Sequence, residues 1–184
     1  MIDGADIVIH LAAKVGGLFA NLQNKVQFFE QNIKINMNVI QACFESKVKR
    51  LVCMLSTCIY PDGISIPIYE QDLHQGPPHD SNSGYAYAKR MCEVQCQLYR
   101  EQYNCDFCCV VPTNLYGPWD SYADDKSHVV AALIKRASQS KQELIVWGSG
   151  QPLRQFCFAG DICKLVLWIA LREQKTTMIA LVPS

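Results

Sequence analysis

The chain has 184 residues, 49% of them hydrophobic, which is enough for one domain with a sizeable core. Seventeen basic residues balance seventeen acidic ones without a run of like charge, so the sequence gives no support for general binding to nucleic acid or to a membrane surface. Neither a long apolar span nor the basic and apolar regions of a signal peptide occur, and we therefore expect a cytosolic protein.

Short apolar runs alternate with helical patterns along the chain. In chain order we predict a strand in 5–13, a helix over 24–46, a strand in 49–57, an irregular segment over 60–84, a helix over 83–103, a strand in 106–114, a helix in 127–139 with Ser127 as its N-cap, a short strand in 143–150 and a helix in 159–173. This alternation favours a doubly wound α/β fold with a parallel sheet, and we predict a single domain over 1–184.

Ligands of such sheets bind beyond the carboxyl ends of the strands, so three loops are of interest: "HLAAKVGG", "STCIYP" and "PTNLYGP". If the second strand stays extended, Ser56 and Cys58 project to the same side and Thr57 projects away. Taken alone, a serine and a cysteine are more often simple strand-end residues. The position of these side chains is therefore only a first indication of chemistry.

The segment "GYAYAKR" pairs a tyrosine with a lysine on a predicted helix. Residues four apart share a helix face and residues two apart do not, so Tyr85 and not Tyr87 is the partner of Lys89. A nearby ammonium favours the phenolate, so we expect the pKa of Tyr85 to be lowered from about 10. By itself the pair also fits an ordinary solvated helix.

Ten cysteines are many for a chain of this length. Because no secretory signal is present, free thiols packed in the interior are favoured over a disulfide framework. Cys92, Cys96, Cys105 and Cys108 also resemble two pairs of zinc ligands, but the first pair lies in a helical pattern and the second pair opens a strand. We therefore expect packing rather than a metal site.

The order of these blocks resembles the extended short-chain dehydrogenase/reductases. Their Ser/Thr and Tyr-x-x-x-Lys triad matches Ser56, Tyr85 and Lys89, which implies a partial Rossmann-like sheet and reduction of a carbonyl by hydride. Further blocks, "GPPHDSNSGYAYAKR", "VPTNLYGPWD", "SHVVAALIKR" and "VWGSGQPLRQF", are similar to members that epimerise and reduce a GDP-linked 4-keto-6-deoxy sugar. In those members the positions of Cys58 and His128 supply the acid and base of epimerisation.

The same resemblance implies a set of binding residues and partners. It places NADPH against Ala12, Ala13, Asn32, Tyr85, Lys89 and Asn114, and the GDP-sugar against Asn114, His128, Arg136, Trp147 and Arg154, with 118–160 on the substrate side. Without the resemblance, Trp147 would be assigned to the core, and His128 would fit a surface histidine of the capping region as well as a functional residue. It also implies a homodimer formed through the two long helices.

The likeness departs from the family at both ends of the chain. Members begin with a strand and a glycine-rich turn that holds the dinucleotide phosphates, whereas this sequence starts at what would be their fourth strand and stops within their substrate lobe. Three interpretations therefore stay open: the epimerase-reductase, a non-catalytic fragment or binding subunit, and a nucleotide-sugar 4-epimerase or dehydratase. Dehydratases carry an acidic residue beside the strand-end hydroxyl, and Ser56-Thr57-Cys58 has none.

Overall fold

The structure, a computed structural model, describes residues 2, 4–123, 127–146, 149–151 and 153–181. Its helices and strands, in chain order, are β1 (Ile7–His10), α1 (Leu18–Gln23), α2 (Lys25–Glu45), β2 (Arg50–Met54), α3 (Ser83–Tyr103), β3 (Phe107–Pro112), β4 (Asn114–Tyr116), α4 (Val129–Gln139), β5 (Phe156–Phe158), α5 (Ala159–Leu171) and β6 (Met178–Leu181). Short 3-10 turns at Thr57–Ile59, Glu70–His74 and Asp80–Asn82 lie in the segment between β2 and α3.

The main sheet has the strand order β1-β2-β3-β6, and its neighbouring strands are parallel. β2 and β3 read as nearly continuous apolar runs because both of their faces are covered. Leu51 and Cys53 of β2 pack under α2 and α3, whereas Val52 packs under α5 with Ile162 and Val166. The predicted α/β fold with a parallel, doubly covered sheet is confirmed.

Both long helices begin and end within two residues of their predicted limits, but the apolar stripe of α2 is buried only in part. Val26, Phe29 and Met37 of that stripe are exposed, whereas Ile40 is fully buried. The buried face also includes Asn32 and Asn36. The apolar stripe therefore identifies the helix but only part of its buried side.

A buried polar network joins three elements beneath the loop that follows β1. The His10 ring lies 3.0 Å from the Asn36 side-chain oxygen, and the Asn36 amide donates to the Ala88 carbonyl at 3.3 Å. Burial lowers the pKa of His10, so the ring is neutral near pH 7. The network fixes β1, α2 and α3 relative to one another.

The predicted strand in 143–150 is wrong for the residues of that range that the structure describes. Residues 143–146 form no strand, and Leu144, Ile145 and Val146 are exposed. The strand lies later, at β5, where it pairs in parallel with β4. A β-branched run forms a strand only where a neighbour accepts its backbone hydrogen bonds, and β4 supplies that neighbour to 156–158.

Arg50 begins β2 at the edge of the sheet opposite the carboxyl ends, and only 8% of it is exposed. Its Nε donates to the Asp106 carboxylate at 2.7 Å, and Nη1 donates to the Ile169 carbonyl at 3.1 Å near the end of α5. One guanidinium thus joins β2, the start of β3 and the final helix.

Among the helices that the structure describes, none is long and apolar enough to cross a membrane.

We expect Arg50→Met to lower the free energy of unfolding by about 3–5 kcal/mol. The substitution leaves the largely buried Asp106 carboxylate without its charged partner. Lys49→Met is the matched control because it breaks an exposed ion pair. The side chains of Lys49 and Asp6 are 77% and 71% exposed, respectively. That control should change stability by about 0.5 kcal/mol or less. Denaturant titrations followed by circular dichroism measure both, and equal effects would contradict this assignment.

Candidate active site

The loop after β1 is held in place by a buried asparagine of α2. Asn32 is fully buried, and its side-chain oxygen accepts from the Lys14 amide at 2.9 Å. Its amide group donates to the carbonyls of Lys14 and Phe28. Ala12 is exposed and Ala13 is half-buried in the loop that Asn32 fixes. Asn32 therefore positions the loop, and its own contact with a cofactor stays a prediction.

The sequence suggested that the chain stays extended beyond the end of β2. The structure shows that it does not. The strand ends at Met54, Ser56 is extended, and a 3-10 turn begins at Thr57. Ser56, Thr57 and Cys58 all line one cavity, and the extended backbone on which the opposite placing of Thr57 depended is not present. The Ser56 hydroxyl and the Cys58 thiol line the same side of this cavity, two residues apart.

Tyr85 and Lys89 share one face of α3, as predicted. The Lys89 ammonium lies 6.0 Å from the centre of the Tyr85 ring, whereas Tyr87 lies beside Arg90. Lys89 is 2% exposed and donates to the Met54 carbonyl at 2.8 Å, which ties α3 to the end of β2. The first turn of α3 is close to α2, since a Cβ on Gly84 would lie 2.2 Å from the Lys25 carbonyl oxygen.

The expected lowering of the Tyr85 pKa is wrong for this structure. Burial raises the pKa of Tyr85 well above its ordinary value, with a further contribution from Cys58. Burial likewise raises the pKa of Cys58, although the Ser56 hydrogen bond and the Lys89 charge oppose that rise. Burial lowers the pKa of Lys89. Desolvation outweighs the attraction between charges, so near pH 7 Tyr85 is a neutral phenol and a proton donor.

His128 lies at the start of α4, where it takes the position that the sequence assigned to Ser127. The N-cap of α4 is His128, not Ser127, and its side chain makes no capping hydrogen bond. The ring is therefore available to the cavity. Its Nδ1 lies 3.6 Å from an oxygen of the Asp120 carboxylate, a residue that the sequence analysis did not single out. A carboxylate beside one ring nitrogen orients the other, as in many catalytic histidines.

One cavity of about 540 Å³ collects half of the twelve predicted side chains. It is lined by six of them: Ser56, Cys58, Tyr85, Asn114, His128 and Arg154. Lys89 lies beneath Tyr85, and Asn114 donates to the Gln155 carbonyl at 2.9 Å where β4 meets β5. This volume is typical of sites for small molecules.

The residues predicted to bind the GDP portion do not lie together in this cavity. Arg136 is part of a neighbouring cavity with Ser127 and Val146, and its guanidinium lies 3.5 Å from the Ile145 carbonyl. Arg154 is exposed at the rim of the first cavity. Trp147 falls outside the residues that the structure describes.

Sequence reasoning missed a second group of polar residues in the same cavity. Asn21, Tyr60 and Asn82 line it, and each has a buried oxygen without a hydrogen-bond partner within the part of the chain that the structure describes. Unpaired buried oxygens are costly unless a ligand or water satisfies them. The only sequence signal was their position inside the blocks "HLAAKVGG…AN", "STCIYP" and "HDSNSG".

The four cysteines that the sequence suggested as zinc ligands do not lie together in the structure. Cys92 and Cys96 lie under the sheet face that α2 and α3 cover, whereas Cys108 lies on the face that α5 covers. Cys105 lies just before β3 and is half-buried at the edge of the first cluster. The prediction that those four cysteines do not form one metal site is consistent with this arrangement.

A parallel sheet covered by helices on both faces, with Ser56, Tyr85 and Lys89 at its carboxyl edge, has the architecture of doubly wound nucleotide-binding folds. The chain belongs to the NAD dependent epimerase/dehydratase family, which it matches over residues 1–180. The family-level resemblance seen in the sequence is confirmed.

Individual relatives narrow the comparison. GDP-L-fucose synthase of Dictyostelium discoideum is 51% identical over 164 residues, which are 88% of this chain and 51% of the relative. A probable GDP-L-fucose synthase of Drosophila melanogaster is 42% identical over 184 residues, 95% of this chain and 57% of the relative. The crystal structure of a GDP-L-fucose synthetase from Naegleria fowleri bound to NADP matches with a TM-score of 0.88 at 42% identity, covering 97% of this chain and 60% of that one. The chain spans about half the length of the curated relatives it matches.

Proposed function

We propose that this chain carries the catalytic site of a GDP-L-fucose synthase. The reaction is 3,5-epimerisation of GDP-4-keto-6-deoxy-D-mannose followed by reduction of its C4 ketone with NADPH, giving GDP-L-fucose. The observation that carries this proposal is the convergence of Ser56, Cys58, Tyr85 and His128 on one cavity. Two hydroxyls, a thiol and an imidazole are the groups that both steps require.

Reduction needs a proton donor at the ketone oxygen. The raised pKa of Tyr85 keeps its hydroxyl protonated, and Ser56 offers a second hydroxyl to the same oxygen. Bound NADPH supplies the hydride. As negative charge develops on the ketone oxygen, Tyr85 gives up its proton and the nearby Lys89 ammonium stabilises the phenolate.

Epimerisation uses the acidity of the carbons that flank the ketone. Loss of a proton from C3 or C5 gives an enolate, whose oxygen Ser56 and Tyr85 stabilise by the same hydrogen bonds. Cys58 and His128 are the base and acid that remove and return these protons. Asp120 orients the His128 ring from 3.6 Å, and Asn21, Tyr60 and Asn82 offer unpaired oxygens to the sugar hydroxyls.

The residues at the carboxyl edge of the sheet fit an extended dinucleotide. Ala12 and Ala13 present small side chains on a loop that Asn32 fixes, so a ligand can approach the backbone closely. Thr113, at the end of β3, has a buried hydroxyl that lacks a protein partner among the described residues. Lys89 and Asn114 complete the set of residues that would hold NADPH.

Residues 118–160 supply the substrate side of the site in this proposal. Arg136 and Arg154 suit a diphosphate because a planar guanidinium donates paired hydrogen bonds. The resemblance to the family also assigns Trp147 to the GDP portion of the substrate. Support comes from the positions of the two arginines, because Arg154 lines the first cavity and Arg136 lines a neighbouring one.

The same proposal includes a homodimer formed through α2 and α3 and a location in the cytosol. Val26 and Met37 on α2 and Met91 and Leu98 on α3 are exposed apolar side chains that a second copy would cover. All ten cysteines are free, as in reducing compartments.

Titration with NADPH, followed by nucleotide fluorescence, tests the cofactor part of the proposal. We expect the unmodified chain to bind NADPH saturably. Lys89→Met should weaken this binding at least about tenfold, which corresponds to about 1.4 kcal/mol, because it removes the buried ammonium. The control Lys34→Met removes an ammonium whose side chain is 72% exposed and should leave binding unchanged. An absence of saturation at millimolar NADPH would contradict the proposal and favour a chain that only binds a partner.

A further inference from the structure

Four buried cysteines meet beneath the candidate active site without any part in the proposed reaction. Cys53 of β2 and Cys109 of β3 are directly paired in the parallel register, so their side chains leave the sheet side by side. Cys92 and Cys96 are four residues apart on α3 and face the sheet from above. Each of the four side chains is at most 1% exposed.

Three of the four sulfur atoms form one compact group, and the fourth belongs to the neighbouring strand. The Sγ atoms of Cys53, Cys92 and Cys96 all lie within 4.8 Å of one another, and those of Cys53 and Cys96 are 3.8 Å apart. Cys109 lies outside that 4.8 Å group but is the register partner of Cys53 and belongs to the same buried cluster. No carboxylate or imidazole belongs to the group among the described residues, so any ligand must be one that sulfur binds.

The spacing of the three closest sulfurs is near that of three corners of a tetrahedral metal centre. Zinc–sulfur bonds are about 2.3 Å long, which places the corners of a tetrahedron about 3.8 Å apart. Soft thiolate ligands in this geometry select zinc, copper(I) or an iron–sulfur cluster, and separate thiols at this spacing suit a single ion. We propose that Cys53, Cys92 and Cys96 bind one zinc-type ion in the core of the fold, and that Cys109, beside Cys53 in the sheet, moves in as the fourth ligand when the ion binds.

Charge balance is compatible with an ion at this position. Four thiols that bind one divalent ion release four protons and leave a centre of net charge of about −2. Lys89, three residues before Cys92 on α3, interacts electrostatically with Cys92, Cys53 and Cys109. Its buried ammonium therefore offsets part of the negative charge.

The consequence is structural rather than catalytic. All four ligand positions would be filled by protein, so the ion has no open site for substrate or water. It would join α3 to β2 and β3 directly below Tyr85 and Lys89. Because the group is buried, the ion would enter during folding and leave only with local unfolding.

The test uses the purified chain folded in the presence of Zn²⁺, or of Co²⁺ as a spectroscopic probe. We expect one ion per chain after dialysis and, for cobalt, intense sulfur-to-metal charge-transfer absorption with the visible bands of a tetrahedral ion. Cys96→Ala should lose both signals. Cys108→Ala removes an equally buried thiol on the opposite face of the sheet and should keep them.

Three results would overturn the proposal: a wild-type chain without bound metal, cobalt bound without the sulfur signature, or equal retention by both variants. If Cys96→Ala fails to fold, X-ray absorption on the zinc-loaded wild type decides instead. Sulfur neighbours at about 2.3 Å support the proposal, and nitrogen or oxygen neighbours contradict it. A wild-type mass lower by two hydrogens would show a disulfide in place of the metal site.

Discussion

Replacing Tyr85 by phenylalanine should abolish reduction of the C4 ketone while the chain stays folded. The substitution removes one hydroxyl from a half-buried ring and keeps the ring beside Lys89. Loss of a positioned general acid slows such a step by about 10²–10⁴-fold. The rate is measured as the oxidation of NADPH in the presence of GDP-4-keto-6-deoxy-D-mannose.

Tyr87→Phe is the matched control because it removes the same atom from the same helix two positions later. Tyr87 is exposed and packs beside Arg90, away from the cavity. We expect its rate to equal that of the unmodified chain. Reduction that survives in Tyr85→Phe, or that is lost equally in both variants, would remove Tyr85 from its proposed role.

Cys58→Ser should stop the exchange of sugar protons with solvent. Serine is a far weaker base than a thiolate, so exchange at C3 and C5 should fall by about 10²–10⁴-fold. Deuterium uptake in heavy water, followed by mass spectrometry of the sugar, measures the loss. Cys163→Ser, at an exposed thiol of α5, is the control and should leave uptake intact.

The pH dependence of this exchange follows from the environment of Cys58. Burial raises the thiol pKa above its ordinary value of 9.0. The basic form is the thiolate, which becomes populated only as pH rises, so the exchange rate should increase with pH through the alkaline range. A rate that falls as pH rises through that range would show that another group is the base.

The fold was predictable from the sequence where the pattern of apolar residues in a segment showed that the segment must be covered by other elements. β1, β2 and β3 are apolar runs followed by helical periods, and those patterns require a covered parallel sheet. β4 and β5 were missed because each has three residues and depends on the other for its hydrogen bonds. The 143–146 run was misassigned because its composition suits a strand but no neighbour pairs with it.

The central residues of the candidate site were predictable from the sequence, but its electrostatics and several of its other polar residues were not. Helix geometry paired Tyr85 with Lys89, and the strand end indicated Ser56 and Cys58. Sequence gives no measure of burial, so the direction of the Tyr85 pKa shift was wrong. Asp120 was missed because its approach to His128 depends on the course of the loop before α4.

The central claim is that one ketone, held at the carboxyl edge of the sheet, undergoes both proton exchange and reduction. The most direct test incubates the chain with GDP-4-keto-6-deoxy-D-mannose and NADPH in heavy water and locates each hydrogen isotope by nuclear magnetic resonance. The account predicts deuterium at C3 and C5 and hydride from NADPH at C4. A product reduced at C4 without deuterium at either neighbour, or a sugar recovered unchanged, would contradict it.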